Sequence, residues 1–274
     1  MKVPQKEKDE NMQDRQADGP TKSYHLILEQ KIEQGLAEFE RSNSGLFLSA
    51  LSAGLDLGFS VFLMAVLYSR FSGILTNEAI ESLMAIVYST GFLLVIFGRS
   101  ELFTEHTALA VFPVLAGRST IRSLLRVWMI IYMANLLGAA AFSLLLLAVG
   151  PSLNIIKEDA FVNLAESLIK PSWYIILLSG VVAGWLMGLV SWLVTAGKET
   201  IGQVFFVMLL TATIGFGKLH HCIVGSIEIL PAVYLGLGVS FWQYLYTLLW
   251  MTFGNIIGGV FFVALIKYSH TVRG

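Results

Sequence analysis

Two short polar clusters interrupt otherwise apolar sequence, and they are where chemistry could happen. The first holds Arg99, Glu101, Thr104, Glu105 and His106; the second holds Lys218, His220 and His221. Each sits in the middle of an apolar stretch, about 79–112 and 201–229. Charge in a bilayer core costs several kcal/mol, so such residues are functional or turned inward. Histidine titrates nearest neutrality. An anion entering a dry constriction pays a large desolvation cost, which protonation of a weak acid would remove. His221 is the residue placed to do this, by giving up a proton or by supplying a positive field. Arg99 and Lys218 add positive charge. Half-helices beginning at Thr104 and near His221 would aim free N–H groups and the positive dipole end at the midplane, an arrangement that attracts anions. A small anion is the expected permeant.

Each residue also has a structural role to fill. His220 is expected to bond backbone at its break. Glu101 is expected to tie down the first loop, because a buried carboxylate needs a partner. Asp56 lies ten residues into the first apolar stretch. Arg99 and Lys218 are expected to form a cationic pair that flanks the passage and holds Asp56 and Glu101. Glu228 reads as an interfacial carboxylate, and Trp173 and Tyr174 as interfacial anchors. A metal held by His106, His220 and His221 is disfavoured, because adjacent rings on a helix diverge by about 100°. The single cysteine, Cys222, provides neither a disulfide framework nor a Cys-ligated metal site. No cofactor is expected. Without a catalytic nucleophile or phosphate loop, the chain does not read as an enzyme.

The elements that must carry these residues follow from composition. The 274 residues are 55% hydrophobic and only 14% charged, with net charge −1, whereas soluble domains carry about 25% charge. Intrinsic disorder and nucleic-acid binding are excluded for the chain as a whole, and an all-α integral membrane protein remains. Six stretches approach or exceed the roughly 20 apolar residues of a membrane helix: 46–69, 79–112, 121–149, 173–195, 201–229 and 238–267. Residues 1–44 form a polar arm, disordered to about residue 21, then an amphipathic helix over Tyr24–Glu40 with Leu26, Leu28, Ile32, Leu36 and Phe39 on one face. Residues 45–268 make the membrane domain, and 269–274 a short tail. No apolar stretch follows a basic start, so no cleaved signal peptide is expected. Arg118, Arg122, Arg126, Lys198, Lys267 and Arg273 fall on the side of the arm, against Arg70, Lys157 and Lys170 opposite. The positive-inside rule then puts both termini of this multi-pass protein in the cytoplasm, in a bacterial-type inner membrane.

The halves repeat. Asn135-Leu-Leu-Gly138 matches Asn255-Ile-Ile-Gly258, Phe97-Gly98-Arg99 matches Phe216-Gly217-Lys218, and Gly54-xxx-Gly58 matches Gly180-xxx-Gly184. Three spans per half give opposite orientations: a 3+3 inverted repeat with helices 2 and 5 broken, as in transporters and aquaporin-like channels.

The stretch Gly98-Arg-Ser-Glu101-Leu-Phe-Thr104 resembles the signature of the formate/nitrite transporter family, in which a small residue precedes Glu-Leu-Phe-Thr. His221-Cys-Ile-Val-Gly225 is similar to that family's segment around its central histidine. The resemblance spans about residues 45–268. It implies a homopentamer in lipid with one pore per subunit, conducting small monovalent anions such as formate, nitrite, hydrosulfide, acetate or lactate, often with a proton. It places Thr104 at the end of the loop, Leu102 and Phe103 in a hydrophobic constriction, and His221 between two constrictions. It also implies differences. The family's Glu before the central histidine is His220 here, and its span-four Asn falls on Gly184. Its inner vestibule lysine falls on Gln203, with Lys198 nearby, and its outer one corresponds to Lys170. Arg99 replaces a small residue. The chain therefore reads as a divergent branch. An aquaporin-like neutral-solute channel, which would lack the usual Asn-Pro-Ala pairs, and a non-conducting membrane regulator stand as alternatives.

Overall fold

The computed structural model describes residues 22–273, so the expected disorder of residues 1–21 lies outside the described residues. The described chain is almost wholly helical. Five helical runs are long and apolar enough to cross a membrane: 43–71, 77–98, 121–149, 173–196 and 241–273. A sixth crossing is shared by two shorter apolar helices, Thr200–Phe216 and Cys222–Tyr234.

In chain order, α1 (Tyr24–Glu40) precedes α2 (Asn43–Asp56) and α3 (Gly58–Phe71), which make the first span. The second span is α4 (Asn77–Val87) and α5 (Ser89–Gly98), a break, then α6 (Phe103–Leu109) and α7 (Phe112–Leu115). The third is α8 (Ile121–Val149). After α9 (Glu158–Ile169) come α10 (Trp173–Ala196) and the broken pair α11 (Thr200–Phe216) and α12 (Cys222–Tyr234). The last span is α13 (Phe241–Ile257), a π-helical stretch Gly258–Leu265, and α14 (Ile266–Arg273).

Helix starts carry the side chains expected of them. Ser23, Thr76, Thr120 and Ser240 each accept a first-turn N–H, and Ser240 with Gln243 completes a capping box. α1 lays Ile27, Leu28, Lys31 and Gly35 against the bundle, an i, i+4, i+8 stripe that contains a lysine. α9 is an element that the composition did not announce. Its signal is present in the sequence all the same: Glu158 and Asp159 in the first turn, then Ala160, Phe161, Leu164, Ala165 and Leu168 all buried. It precedes the fourth span as α1 precedes the first, so each half of the repeat is an amphipathic helix plus three spans.

The small residues set how closely the spans approach, and they correct one register. A Cβ at Gly54 would run into the backbone of Asn135, and one at Gly184 into that of Asn255. The Asn135 amide donates to the carbonyl of Ala50, and the Asn255 amide to that of Gly180. Gly54 is therefore the counterpart of Gly184, and Ala50 that of Gly180, one helical turn from the match read off the sequence. The reason is that α10 carries Gly180, Gly184 and Gly188 at four-residue spacing; such a stripe looks the same after a slip of one turn.

Gly184→Ala places a methyl group against backbone that cannot rotate away, and should destabilise the protein by about 1–3 kcal/mol, as overpacked cores do. Gly202→Ala, where nothing lies within 4 Å, should be neutral or stabilising by up to about 1 kcal/mol. Thermal unfolding of both variants in detergent checks the contrast.

Candidate functional site

The two breaks are built alike. α5 ends with Arg99 in the left-handed region (φ 54°), and α11 ends with Lys218 there (φ 47°). In each, the next amide reaches back inside the helix: Ser100 N to Val95 O at 3.0 Å and Leu219 N to Ile214 O at 3.0 Å. This is the left-handed helix ending that glycine usually occupies. A cation there meets the negative end of the dipole. Arg99 and Lys218 thus hold equivalent places, but an inverted repeat sends equivalents to opposite faces. Arg99 borders a cavity on the face of α1, of about 630 Å³. Lys218 borders one on the other face, of about 40 Å³. The expected cationic pair does not form. Lys218 binds Glu81 at 2.6 Å, and Asp56 accepts a hydrogen bond from Ser52 at 3.2 Å. Glu101 is held by Arg41, which also binds Glu38 at 3.0 Å, and lies 3.1 Å from His106 Nε2.

Beyond each break the extended segment is secured by one buried asparagine. Asn135 Oδ1 accepts from Phe103 N at 2.8 Å, while Nδ2 donates to Ala50 O and Glu101 O at 2.7 and 2.9 Å. Asn255 Oδ1 accepts from Cys222 N, and its Nδ2 donates to Gly180 O and His220 O, each at 2.9 Å. Both residues marked the repeat in the sequence. Their role as supports was missed, although an amide within an apolar span already demands partners.

Between the cavities lies a closed layer. His221 is the N-cap of α12, and its Nδ1 accepts from Val224 N at 3.3 Å. That leaves Nε2 to carry the hydrogen in the neutral ring, so it donates to Thr104 Oγ1 across the break at 2.8 Å. The Thr104 hydroxyl keeps its own hydrogen as a donor. Phe92 meets the imidazole edge to face at 5.3 Å. Along the second span, Tyr88 borders one cavity and Val95 the other, with Phe92 between them. Leu102 is fully buried, and its carbonyl binds His106 Nδ1 at 3.0 Å. Phe103 turns its ring to Tyr132 and Trp128.

The other sequence-derived residues sit outside this layer. His220 is bonded through Nδ1 to Ser179 Oγ at 2.9 Å and through Nε2 to Leu168 O at 3.0 Å. Lys170 is exposed and bound to Glu166 at 2.6 Å. Lys198 is exposed on the face of α1. Gln203 donates to Val194 O and Gly197 O, closing the end of α10. Glu228, read as interfacial, is instead buried, with 7% exposed. The three histidines considered for a metal are dispersed. Among the described residues, Glu38, Glu101 and His106 form the one group at ligand spacing, and there Arg41 already compensates both carboxylates. On the arm, Lys31 is buried and donates to Ser191 Oγ at 2.8 Å and Gln34 Oε1 at 3.0 Å. Burial pushes its ammonium down to about 8, against the pull of Glu105.

These features define a helical membrane protein whose two inverted halves bring broken helices together at a histidine-containing layer. Residues 25–269 match the Formate/nitrite transporter family. The chain is 30% identical over 261 residues to inner membrane protein YfdC of Escherichia coli, covering 89% of this chain and 78% of that one. It superposes on a solved "FNT family ion channel" with TM-score 0.79 at 19% identity, over 89% of this chain and 98% of the other. A solved "Pentameric formate channel with formate bound" gives 0.69 at 19% identity, over 84% and 98%. The protein belongs to the formate/nitrite transporter family and is an integral membrane transporter of that type.

Two outcomes follow from the geometry. Asn255→Leu strands the amide of Cys222 and the carbonyls of Gly180 and His220, at about 1–3 kcal/mol for each stranded group. It should lower the unfolding midpoint and speed hydrogen exchange over residues 219–224, with Asn255→Asp intermediate because Oδ1 remains. For Lys31, the folded chain holds the proton less tightly than the unfolded one, whose lysine titrates near 10.5. The cost of the buried charge is therefore present in full below about pH 8, and stability rises from there towards pH 10.5. Unfolding midpoints measured over that window should climb for the wild type relative to Lys31→Met.

Proposed function

We propose that the chain forms a pore for small monovalent anions of weak acids, formate or nitrite in character, with passage linked to a proton. The observation that carries this reading is the Thr104–His221 hydrogen bond lying between two cavities on opposite faces. At that point the file of apolar side chains is interrupted by a hydroxyl with a free hydrogen and by an imidazole. An anion crossing there exchanges water for the Thr104 O–H and, when the bridge opens, the His221 Nε2–H. α12 starts at the same place, so the positive end of its dipole faces the permeant. Phe92 and Leu102 supply the dry wall that favours a neutral acid over an ion.

Arg99 and Lys218 stand at the two mouths, and Lys198 and Lys170 lie further out on the same two faces. On the face of α1 the charge of Arg99 raises the local concentration of anions; on the other face Lys218 and Lys170 are each bound to a glutamate. His220, Glu101, Asp56 and Phe103 position the breaks. Membership in the family supports the anion class. We read the chain as a homopentamer in lipid with one pore per subunit. In support, a solved relative is described as pentameric, and a single subunit exposes apolar rows such as Met129, Met133 and Leu137 on α8 and Leu178, Val182 and Trp185 on α10. Residues 45–268 are the membrane domain, the 1–44 arm and 269–274 tail are cytoplasmic, and the membrane is a bacterial inner membrane. The protein moves its substrate with no chemical change other than proton exchange.

Purified protein in liposomes, with an internal pH dye, tests the reading against formate, nitrite, acetate, lactate, hydrosulfide and chloride. Weak-acid uptake with internal acidification is expected, reduced at least ten-fold by His221→Ala and by Thr104→Val. Silence of the assembled wild type across the panel would overturn it.

A further inference from the structure

Glu228 is the charged residue for which the pathway so far has no use. It lies two turns beyond His221 on the same face of α12, about 10 Å along the axis at 1.5 Å per residue. The residue is 7% exposed and borders the small cavity opposite the arm. Among the described residues, no hydrogen-bond donor and no cation meets its carboxyl group. Lys218 borders the same cavity but is taken by Glu81. The remaining titratable groups nearby are Tyr88, at the α4–α5 junction, and Tyr244 of α13, whose hydroxyl donates to Ser226. α3 presents the uncharged Met64, and α9 the uncharged Asn163 and Ser167.

The cavity is about 40 Å³, above the roughly 10–15 Å³ that one water needs, a size that suits a small ion better than a large solute. A carboxylate only accepts hydrogen bonds, whereas a carboxylic acid has one O–H to donate. An anion in so small a space meets repulsion from an ionised Glu228 with no free cation to offset it. Beside the protonated group it receives a short, charge-assisted O–H···O bond. Building on the anion pore proposed above, we infer that Glu228 binds the anion entering from the face opposite the arm and gives it a proton. The proton leaves the carboxyl oxygen for an oxygen of the anion, so carboxylic acid and anion become carboxylate and neutral weak acid. The neutral acid then crosses the Phe92, Thr104 and His221 layer, and a proton from the external solution returns to the carboxylate, so each cycle takes up one external proton with each anion. His221 is committed elsewhere: a proton on Nδ1 would displace the Val224 N–H that it caps.

Formate flux and internal acidification are measured together in liposomes, at external pH 5 to 8, for the wild type, Glu228→Gln and Glu228→Asp. Expected are about one proton per formate and a flux that falls with rising pH in the wild type. Glu228→Gln keeps a donor but has no proton to give, and should lose acidification and at least nine-tenths of the flux. Glu228→Asp should retain part of both. A Glu228→Gln protein that acidifies like the wild type, with an unchanged pH profile, overturns the inference and leaves the anion pore standing. A wild type silent to every anion overturns both. Should Glu228→Gln fail to assemble, infrared difference spectra of the wild type with isotope-labelled formate decide the matter. A carboxylic-acid C=O band that responds to formate supports the inference, and its absence overturns it.

Discussion

A helix that breaks inside a bilayer exposes amides and carbonyls where no water can meet them, and each one left unpaired costs several kcal/mol. The rest of this architecture answers that constraint. Asn135 and Asn255 each spend one acceptor and two donors to bind the strand after a break to the span in front of it. They can reach because Gly54 and Gly184 let the spans approach to backbone contact. The glycines, the asparagines and the breaks therefore form one device, used twice. Removing any part strands the others, so the tight packing and the polar interior depend on each other.

Using the device twice in opposite orientation gives two mouths, and the copies have diverged in chemistry while keeping their geometry. At one break Glu101 is gripped by Arg41, just past the end of α1; at the other, His220 is gripped by the Leu168 carbonyl, near the end of α9. An ion pair holds one loop, and neutral hydrogen bonds hold the other. Leu102 and His221 likewise occupy matching places, so the layer is apolar where one half arrives and polar where the other does. The cavities differ accordingly: the wide one is bordered by charged groups of the arm, the narrow one by apolar side chains with the neutral Tyr88, Asn163 and Ser167, the Glu81–Lys218 pair at its rim and the carboxyl of Glu228.

Much of this was legible in the sequence, and the failures have physical causes. The six spans, the two breaks and the inverted repeat follow from apolar length, from charge within apolar stretches and from paired motifs, because a bilayer leaves few alternatives. Glycine spacing misled by one turn, since a stripe repeated every four residues contains no register information. The pairing of Arg99 with Lys218 was wrong because sequence equivalence in an inverted repeat means opposite faces. α9 was overlooked because a short amphipathic helix has too little apolar length to register as a span. Glu228 was misjudged because its distance from the end of a span says nothing about a cavity that reaches inwards. Arg41 could not be found as the partner of Glu101, since that contact joins residues sixty positions apart.

Where the sequence resemblance implies a glutamate before the histidine, this chain has His220, and that changes where a carboxyl group can act on α12. Next to His221, a carboxylate would share its field with the imidazole and with the start of the helix, whose dipole favours negative charge. His220 instead turns to Leu168 and Ser179 and offers the passage neither charge nor a free nitrogen. The carboxyl group on this helix nearest the layer is then Glu228, beyond the reach of the first-turn amides. There it borders the small cavity, whose other two charged groups, Glu81 and Lys218, are paired with each other. Separating the group proposed to bear the proton from the layer suits the proposed weak-acid pathway, because the acid can be made neutral before it enters the driest part and need not borrow a proton from the histidine that caps the helix.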